Sequence, residues 1–304
     1  MESCTIVIPH VDTPYLIDGA ISEIKRLTKN VDYEILIADQ SNDYVFNYLK
    51  NKYEKDNKVK LVKLPRIDAG FPIDYAARNS TKEFLCSLDA DAFPMHKNWL
   101  LAPIELIKKF NLSFVGSDTG LSIYSEYKNQ GDFSQINNYF RVSKTSTAKF
   151  LSETAGFCRY QNRSKTGYEY KDVGWKLNHS DNGVVAQWYS DMQNLGPKLN
   201  LVINKSIGLT NEFGIYGMCI DDLVFHLVFG YHPDTITDSV KSLGDKFLKI
   251  ETKLKIEGLE NNVNYLLGLL NPLHPYTGRS IYKNKEYAPL DQEIINEINY
   301  LKGL

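Results

Sequence analysis

A chain of 304 residues is long enough for one large or two modest domains with a real core, and 43% hydrophobic with 24% charged residues is ordinary globular composition. The formal net charge of -2 and a pI near 6.3 argue against a nucleic-acid protein that relies on a broad basic face, though not against a local basic pocket. Four cysteines, Cys4, Cys86, Cys158 and Cys219, form no C-x-x-C pair, which disfavours a zinc ribbon or redox motif and reads as buried free thiols in a reducing compartment. Met1-Glu2-Ser3 is acidic and leads straight into a strand pattern, so no signal peptide is expected, and no apolar run is long enough to span a bilayer.

Residues 5–9 are a short continuous apolar run, the pattern of a fully buried strand. Asp12-Thr13-Pro14 is a helix-start signal, and Ile17, Ala20, Ile21, Ile24 and Leu27 then recur at helical spacing. A second buried strand covers 34–39, breaks at Gln40-Ser41-Asn42-Asp43, and is followed by a polar helix with Val45, Leu49 and Tyr53 on one side. A strand over 60–65, a helix over 71–81 and a strand over 83–88 complete the alternation. Such alternation predicts a mostly parallel, doubly wound α/β sheet, in which ligands bind beyond the carboxyl ends of the strands. His10, Asp39, Arg66 and Asp89 all fall at those ends.

Asp89 opens the pattern that carries most chemistry. Asp89-Ala90-Asp91 follows a buried strand and precedes Phe93-Pro94, where the strand must end. In extended chain, residues i and i+2 point the same way, so the two carboxylates would repel unless a cation lies between them. Hard divalent ions take carboxylate oxygens and accept bound phosphate as a further ligand. A solvated acidic turn is the plainer alternative.

Further along, 98–110 reads as a helix with Trp99, Leu100, Ile104 and Ile107 inward, and 112–116 as a strand. Residues 117–138 are polar and aperiodic, an ordered insertion or a mobile loop. A short helix over 146–151, a strand over 155–160, a loop over 161–166, helices over 170–177 and 184–192, and strands over 199–203 and 223–229 follow. After Pro233 the pattern becomes helical at 240–256, 263–270 and 291–301, with a Pro- and Tyr-rich connector over 271–289. The expected division is therefore a domain over 1–235, with halves 1–117 and 118–235, and a helical C-terminal extension over 236–304.

With these residues in view, the chain resembles the GT-A glycosyltransferases, most nearly the inverting family-2 type, over roughly residues 3–230 and most strongly over 3–95. The run 5–10 is similar to that family's first strand ending in Pro, and 34–43 to its second strand with a D-x-S-x-D exit. Ala69-Gly70 with Ala76-Ala77-Arg78-Asn79 is similar to the helix before the metal strand, and Asp89-Ala90-Asp91 to the DxD. The resemblance implies a UDP- or GDP-sugar donor and a divalent metal, Mn or Mg. It implies that Asp39 accepts hydrogen bonds from the base, that Pro9, His10 and Val11 line the nucleoside, and that Asp68 and Gly70 contribute to the donor site. Arg78 would lie near the diphosphate or hold the DxD loop. Asp91 would be a direct metal ligand, and Asp89 with Ala90 would contact the ribose or a metal-bound water, or ligate the metal. His226, with His232 as the fallback, would complete the metal shell.

On the acceptor side the family's acidic pair at a helix start is matched by Lys171-Asp172, so the expected Glu is absent. Asp172 is the preferred catalytic base and Asp222 the competitor. Trp175, Trp188 and Tyr168 fit core or interface positions better than sugar stacking. The expectation is a metal-dependent, inverting glycosyltransferase acting on a hydroxyl of a glycan, lipid-linked glycan or polysaccharide. It would be cytoplasmic, with or without peripheral attachment to the cytoplasmic face of a membrane, and without a nucleic-acid partner. Two rivals are a non-catalytic glycan- or nucleotide-binding homologue and a nucleotidyltransferase. The second wants a Gly-rich phosphate loop after the first strand, which 10–19 does not offer.

Overall fold

The computed structural model describes residues 1–118, 136–167, 183–201, 203–207, 216–228, 271–272, 280–283, 286–289 and 292–303. The first half alternates as the sequence predicts: β1 (Ser3–His10), α1 (Pro14–Leu27), β2 (Asp32–Asp39), α2 (Asp43–Tyr53), β3 (Val59–Lys63), α3 (Gly70–Asn79) and β4 (Phe84–Leu88). Strands β1, β2, β3 and β4 pair in parallel, and the β1–β2 register runs from Ser3 opposite Asp32 to His10 opposite Asp39. β1, β4 and the second half of β2 read as largely apolar runs because both of their faces are covered, whereas the edge strand β3 keeps Lys60 and Lys63 exposed. Ile6, Ile8, Ile35, Ile37, Cys86 and Leu88 pack under α1 and α2, together with α4 (Leu101–Phe110) and the last helix, α8 (Gln292–Gly303). The alternate residues Val7, Leu36, Ala38 and Leu85 pack under α3, α5 (Thr145–Thr154) and α7 (Val184–Met192). That two-residue alternation between faces is the doubly wound arrangement.

Beyond β4 the sheet continues with β7 (Ile136–Lys144), β6 (Phe114–Asp118), β8 (Lys198–Leu201), β13 (Ser280–Lys283) and β14 (Glu286–Pro289), giving the order β14-β13-β8-β6-β7-β4-β1-β2-β3. β7 is antiparallel to both β4 and β6. The sequence reading missed it, because its first residues close a polar stretch and it runs without a turn into α5. A second sheet has the order β12-β9-β10-β11-β5, from β12 (Asn271–Pro272), β9 (Ile203–Ile207), β10 (Tyr216–Ile220), β11 (Val224–Val228) and β5 (Ala92–Pro94).

Residues 155–160 are not a strand, nor 161–166 a loop: the chain turns and enters α6 (Arg159–Thr166). Side chains satisfy the backbone there, so no ladder is needed. Asp74 accepts from the Phe157 and Cys158 N–H groups, and Asn162 Nδ2 donates to the Ala155 and Gly156 carbonyls. The connector 271–289 is not purely a link between helices either. Its three short strands join both sheets, β13 against β8 and β12 against β9, while α8 packs on α4 close to the expected 291–301. The C-terminal residues therefore add strands to the sheets of the first domain as well as a helix. The expected helices at 170–177, 240–256 and 263–270 lie outside the described residues. Among the described residues, no helix is long and apolar enough to cross a membrane.

Candidate functional site

The chain passes from the large sheet to the small one at Asp89–Asp91. The Asp89 N–H donates to the Tyr139 carbonyl at 3.2 Å, which ends the β4–β7 ladder. The Ala92 N–H then donates back to the Asp89 carbonyl at 3.0 Å, making a turn. β5 leaves that turn antiparallel to β11, with Ala92 opposite His226, and the Leu227 N–H donates to the Asp91 carbonyl at 3.1 Å. Asp89, Asp91 and His226 thus converge, and each offers a ligand atom within 4.8 Å of the others. The two carboxylates do share one spot, but a turn brings them together rather than extended chain.

His226 Nε2 lies 3.4 Å from Asp91 Oδ1 and 3.8 Å from Asp89 Oδ2. Both separations exceed a good hydrogen bond. A small octahedral cation with bonds of about 2.1 Å sets neighbouring ligand atoms about 3 Å apart, so little closure is needed. Asp91 is 6% exposed, and its Oδ2 is buried with no hydrogen-bond partner among the described residues. A buried carboxylate oxygen without a donor is costly unless something positive occupies the space beside it. Two carboxylates and an imidazole form a mixed hard-oxygen and nitrogen set of the kind that divalent cations take. The residues present therefore fit a divalent cation. The His226 ring is stacked on Tyr139, with centroids 4.2 Å apart and planes 10° apart.

At the ends of β1 and β2, the register puts His10 beside Asp39. His10 Nδ1 is 2.7 Å from Asp39 Oδ1, while Nε2 accepts from the Thr13 N–H at 3.2 Å, so in the neutral ring the proton resides on Nδ1. The Ser41 hydroxyl also donates to Asp39 Oδ1, at 2.5 Å, and in turn accepts from the Asp12 N–H. Asp39 is fully buried, and its Oδ2 has no hydrogen-bond partner among the described residues. Pro9 and Val11 are half-buried beside this pair.

The other expected donor-site residues are placed differently. Asp68 caps α3 through the Phe71 N–H at 2.9 Å and receives the Arg159 N–H at 2.9 Å. Gly70 sits so close to the 157–158 backbone that a Cβ would come 2.2 Å from the Phe157 carbonyl oxygen. Both therefore have a structural reason to be what they are, in the seam between α3 and α6. Asp74, unmarked in the sequence, is central to that seam; burial pushes its carboxyl above the ordinary range, against the pull of its two backbone donors. Arg78 is exposed, and its Nε–H donates to the Asp74 carbonyl at 3.0 Å. Two residues on, Ser80 Oγ lies 2.6 Å from Thr5 Oγ1, and Thr5 is opposite Leu85 at the start of β4. Arg78 is thus toward the amino-terminal edge of the sheet and is not brought to the Asp89 group.

Asp222 lies in the three-residue turn between β10 and β11, where Asp221 and Asp222 both adopt positive φ, at 50° and 57°. It pairs with Lys205 at 2.7 Å and Lys302 at 3.4 Å. Burial pushes its carboxyl up, but the Lys205 hydrogen bond and the Lys302 charge outweigh this and hold it below the ordinary value. It is four residues from His226 along the chain, in the turn that precedes β11. Trp188 is half-buried on α7. Asp172, Lys171, Tyr168, Trp175 and His232 lie outside the described residues.

Fold and site together define an α/β protein with a group of three side chains that could hold a cation and a buried acid at the carboxyl ends of its strands. No family model matches the sequence, and no curated protein matches it. Among solved structures, the chain is similar to the mannosyltransferase PcManGT from Pyrobaculum calidifontis in complex with GDP-Man and Mn2+, at 17% identity and a TM-score of 0.40, over 49% of this chain and 46% of that one. It is similar to S. aureus TarS 1-349 at 14% identity and a TM-score of 0.39, over 50% of each chain. The complex of TarS 1-349 with UDP-GlcNAc matches at 14% identity and a TM-score of 0.39, over 50% of this chain and 48% of that one. The match spans about half the length of each of these chains.

Proposed function

We propose that this chain is a metal-dependent glycosyltransferase that moves a sugar from a nucleoside-diphosphate donor to a hydroxyl acceptor with inversion. The observation that supports it most is the convergence of Asp89, Asp91 and His226 at the carboxyl end of β4, on the same edge of the sheet as the buried Asp39–His10 pair. A divalent cation held there supplies neutralisation of the charge that builds on a departing diphosphate. Asp91 and His226 hold the cation, and Asp89, the most exposed of the three, contacts the ribose or completes the shell. Asp39 keeps one carboxylate oxygen for an N–H of the base, while His10 and Ser41 lock the other. The catalytic base must approach from the face opposite the diphosphate, taking the acceptor proton as the hydroxyl oxygen attacks the anomeric carbon. We assign that role to Asp172. Asp222 is a poor candidate, because two lysines neutralise it in a turn away from the cation centre. The acceptor we propose is a hydroxyl of a glycan, lipid-linked glycan or polysaccharide.

Thermal denaturation with UDP or GDP, each with and without Mn2+, tests the reading. One nucleotide is expected to raise Tm only in the presence of Mn2+, and the corresponding sugar nucleotide to be turned over slowly to free sugar. No metal-dependent shift with either nucleotide sinks the proposal; a shift without turnover of any UDP- or GDP-sugar leaves a binding protein rather than an enzyme.

A further inference from the structure

We propose that Tyr139 is a positioning residue of the cation centre, whose flat ring sets the imidazole plane of His226 while its carbonyl anchors Asp89. This rests on the reading of Asp89, Asp91 and His226 as cation ligands. Tyr139 comes from β7, in the large sheet, where the pairing of Leu88 with Phe140 puts it opposite Asp89. His226 comes from β11, in the small sheet. The Tyr139–His226 stack therefore joins the two sheets at the cation centre itself.

Its geometry is unlike that of the other ring pairs among the described residues. Tyr15–Tyr48, Phe93–Phe225, Trp99–Phe140 and Phe150–Tyr189 have centroids 5.9 to 6.4 Å apart and planes inclined by 27° to 67°. Tyr139 and His226 are 4.2 Å apart and inclined by only 10°, a stacked contact. A ligating histidine works only if its ring is held so that the lone pair meets the cation, and loss of a group that orients it typically costs about 10- to 100-fold in affinity. The face of a phenol ring is negative, and an imidazole bound to a cation carries extra positive charge, so the stack strengthens when the cation binds. Plain core packing makes a different demand, since any apolar side chain of similar volume would then serve.

The test is Mn2+ affinity, by calorimetry on the full chain, for wild type, Tyr139→Phe, Tyr139→Leu and a protein carrying pentafluorophenylalanine at position 139. The last keeps the ring's shape but reverses the charge of its face, so it reports even where Leu impairs folding. Phe is expected within about twofold of wild type, and Leu and the fluorinated ring about tenfold or more weaker, the range seen for groups that orient metal ligands. If the fluorinated ring and Leu both bind Mn2+ as wild type does, Tyr139 only packs and the inference falls while the cation centre stands. If wild type itself binds no Mn2+, the cation centre falls first and the inference with it.

Discussion

Asp91 combines deep burial, a carboxylate oxygen without a hydrogen-bond partner among the described residues and an imidazole at 3.4 Å. In metal-free protein that is a liability, because a desolvated anion faces another carboxylate across a small space. Asp91→Ala is therefore expected to abolish Mn2+-dependent nucleotide binding, measured by calorimetry, while metal-free stability in urea stays within about 1 kcal/mol of wild type or rises. A loss of several kcal/mol would instead make Asp91 a structural residue. Asp39 makes a complementary case. Asp39→Asn puts an amide donor where an acceptor is needed, so nucleotide affinity should drop at least about tenfold with Mn2+ affinity unchanged. The pair at 89 and 91 was visible in the sequence because its spacing and position at a strand exit carry information without neighbours. Tyr139 was invisible: its role depends on β7 lying antiparallel beside β4, a long-range pairing that no local pattern announces.

At the scale of elements, the seam between α3 and α6 shows why 155–166 was misread. Ala155, Phe157 and Cys158 are apolar and buried, as in a strand, yet their backbone groups are satisfied by the side chains of Asp74 and Asn162. Propensity records the burial and not the partner. Asp74→Ala leaves two buried N–H groups without acceptors and should cost about 2–4 kcal/mol, read from denaturant unfolding, with α6 the first helix to lose protection. The parallel elements of residues 1–90 were legible for the opposite reason. Strands β1 and β4 are buried on both faces, the edge strand β3 alternates with exposed lysines, and each helix carries one apolar stripe, so local pattern and final position agree.

For the molecule as a whole, pH enters through Lys198. Its amine is fully buried against Asp191 Oδ2 at 2.6 Å, joining β8 to α7, and burial drives its pKa from 10.5 down to about 8, although Asp191 pulls it up. Between those two values the unfolded chain binds more protons than the folded one, so this group makes stability rise with pH. The difference in unfolding free energy between wild type and Lys198→Met should therefore shift in favour of wild type by about 3 kcal/mol as pH goes from below 8 to above 10.5. A flat difference across that range would show the lysine to be solvated.

The crossing of the chain between sheets at Asp89–Asp91 has a kinetic side. Asp91 and His226 lie in different halves of the chain, and the strand that carries His226 pairs with β5, three residues long. Short non-local pairings form late and open early, because loop-closure entropy opposes them. A cation shared by Asp89, Asp91 and His226 would close that loop directly. Amide exchange should then slow in β10 and β11 when Mn2+ is added and stay unchanged in β1, β2 and β3. The centre would act as a clasp whose closing times the docking of the small sheet, so that metal supply would govern how long that sheet stays docked.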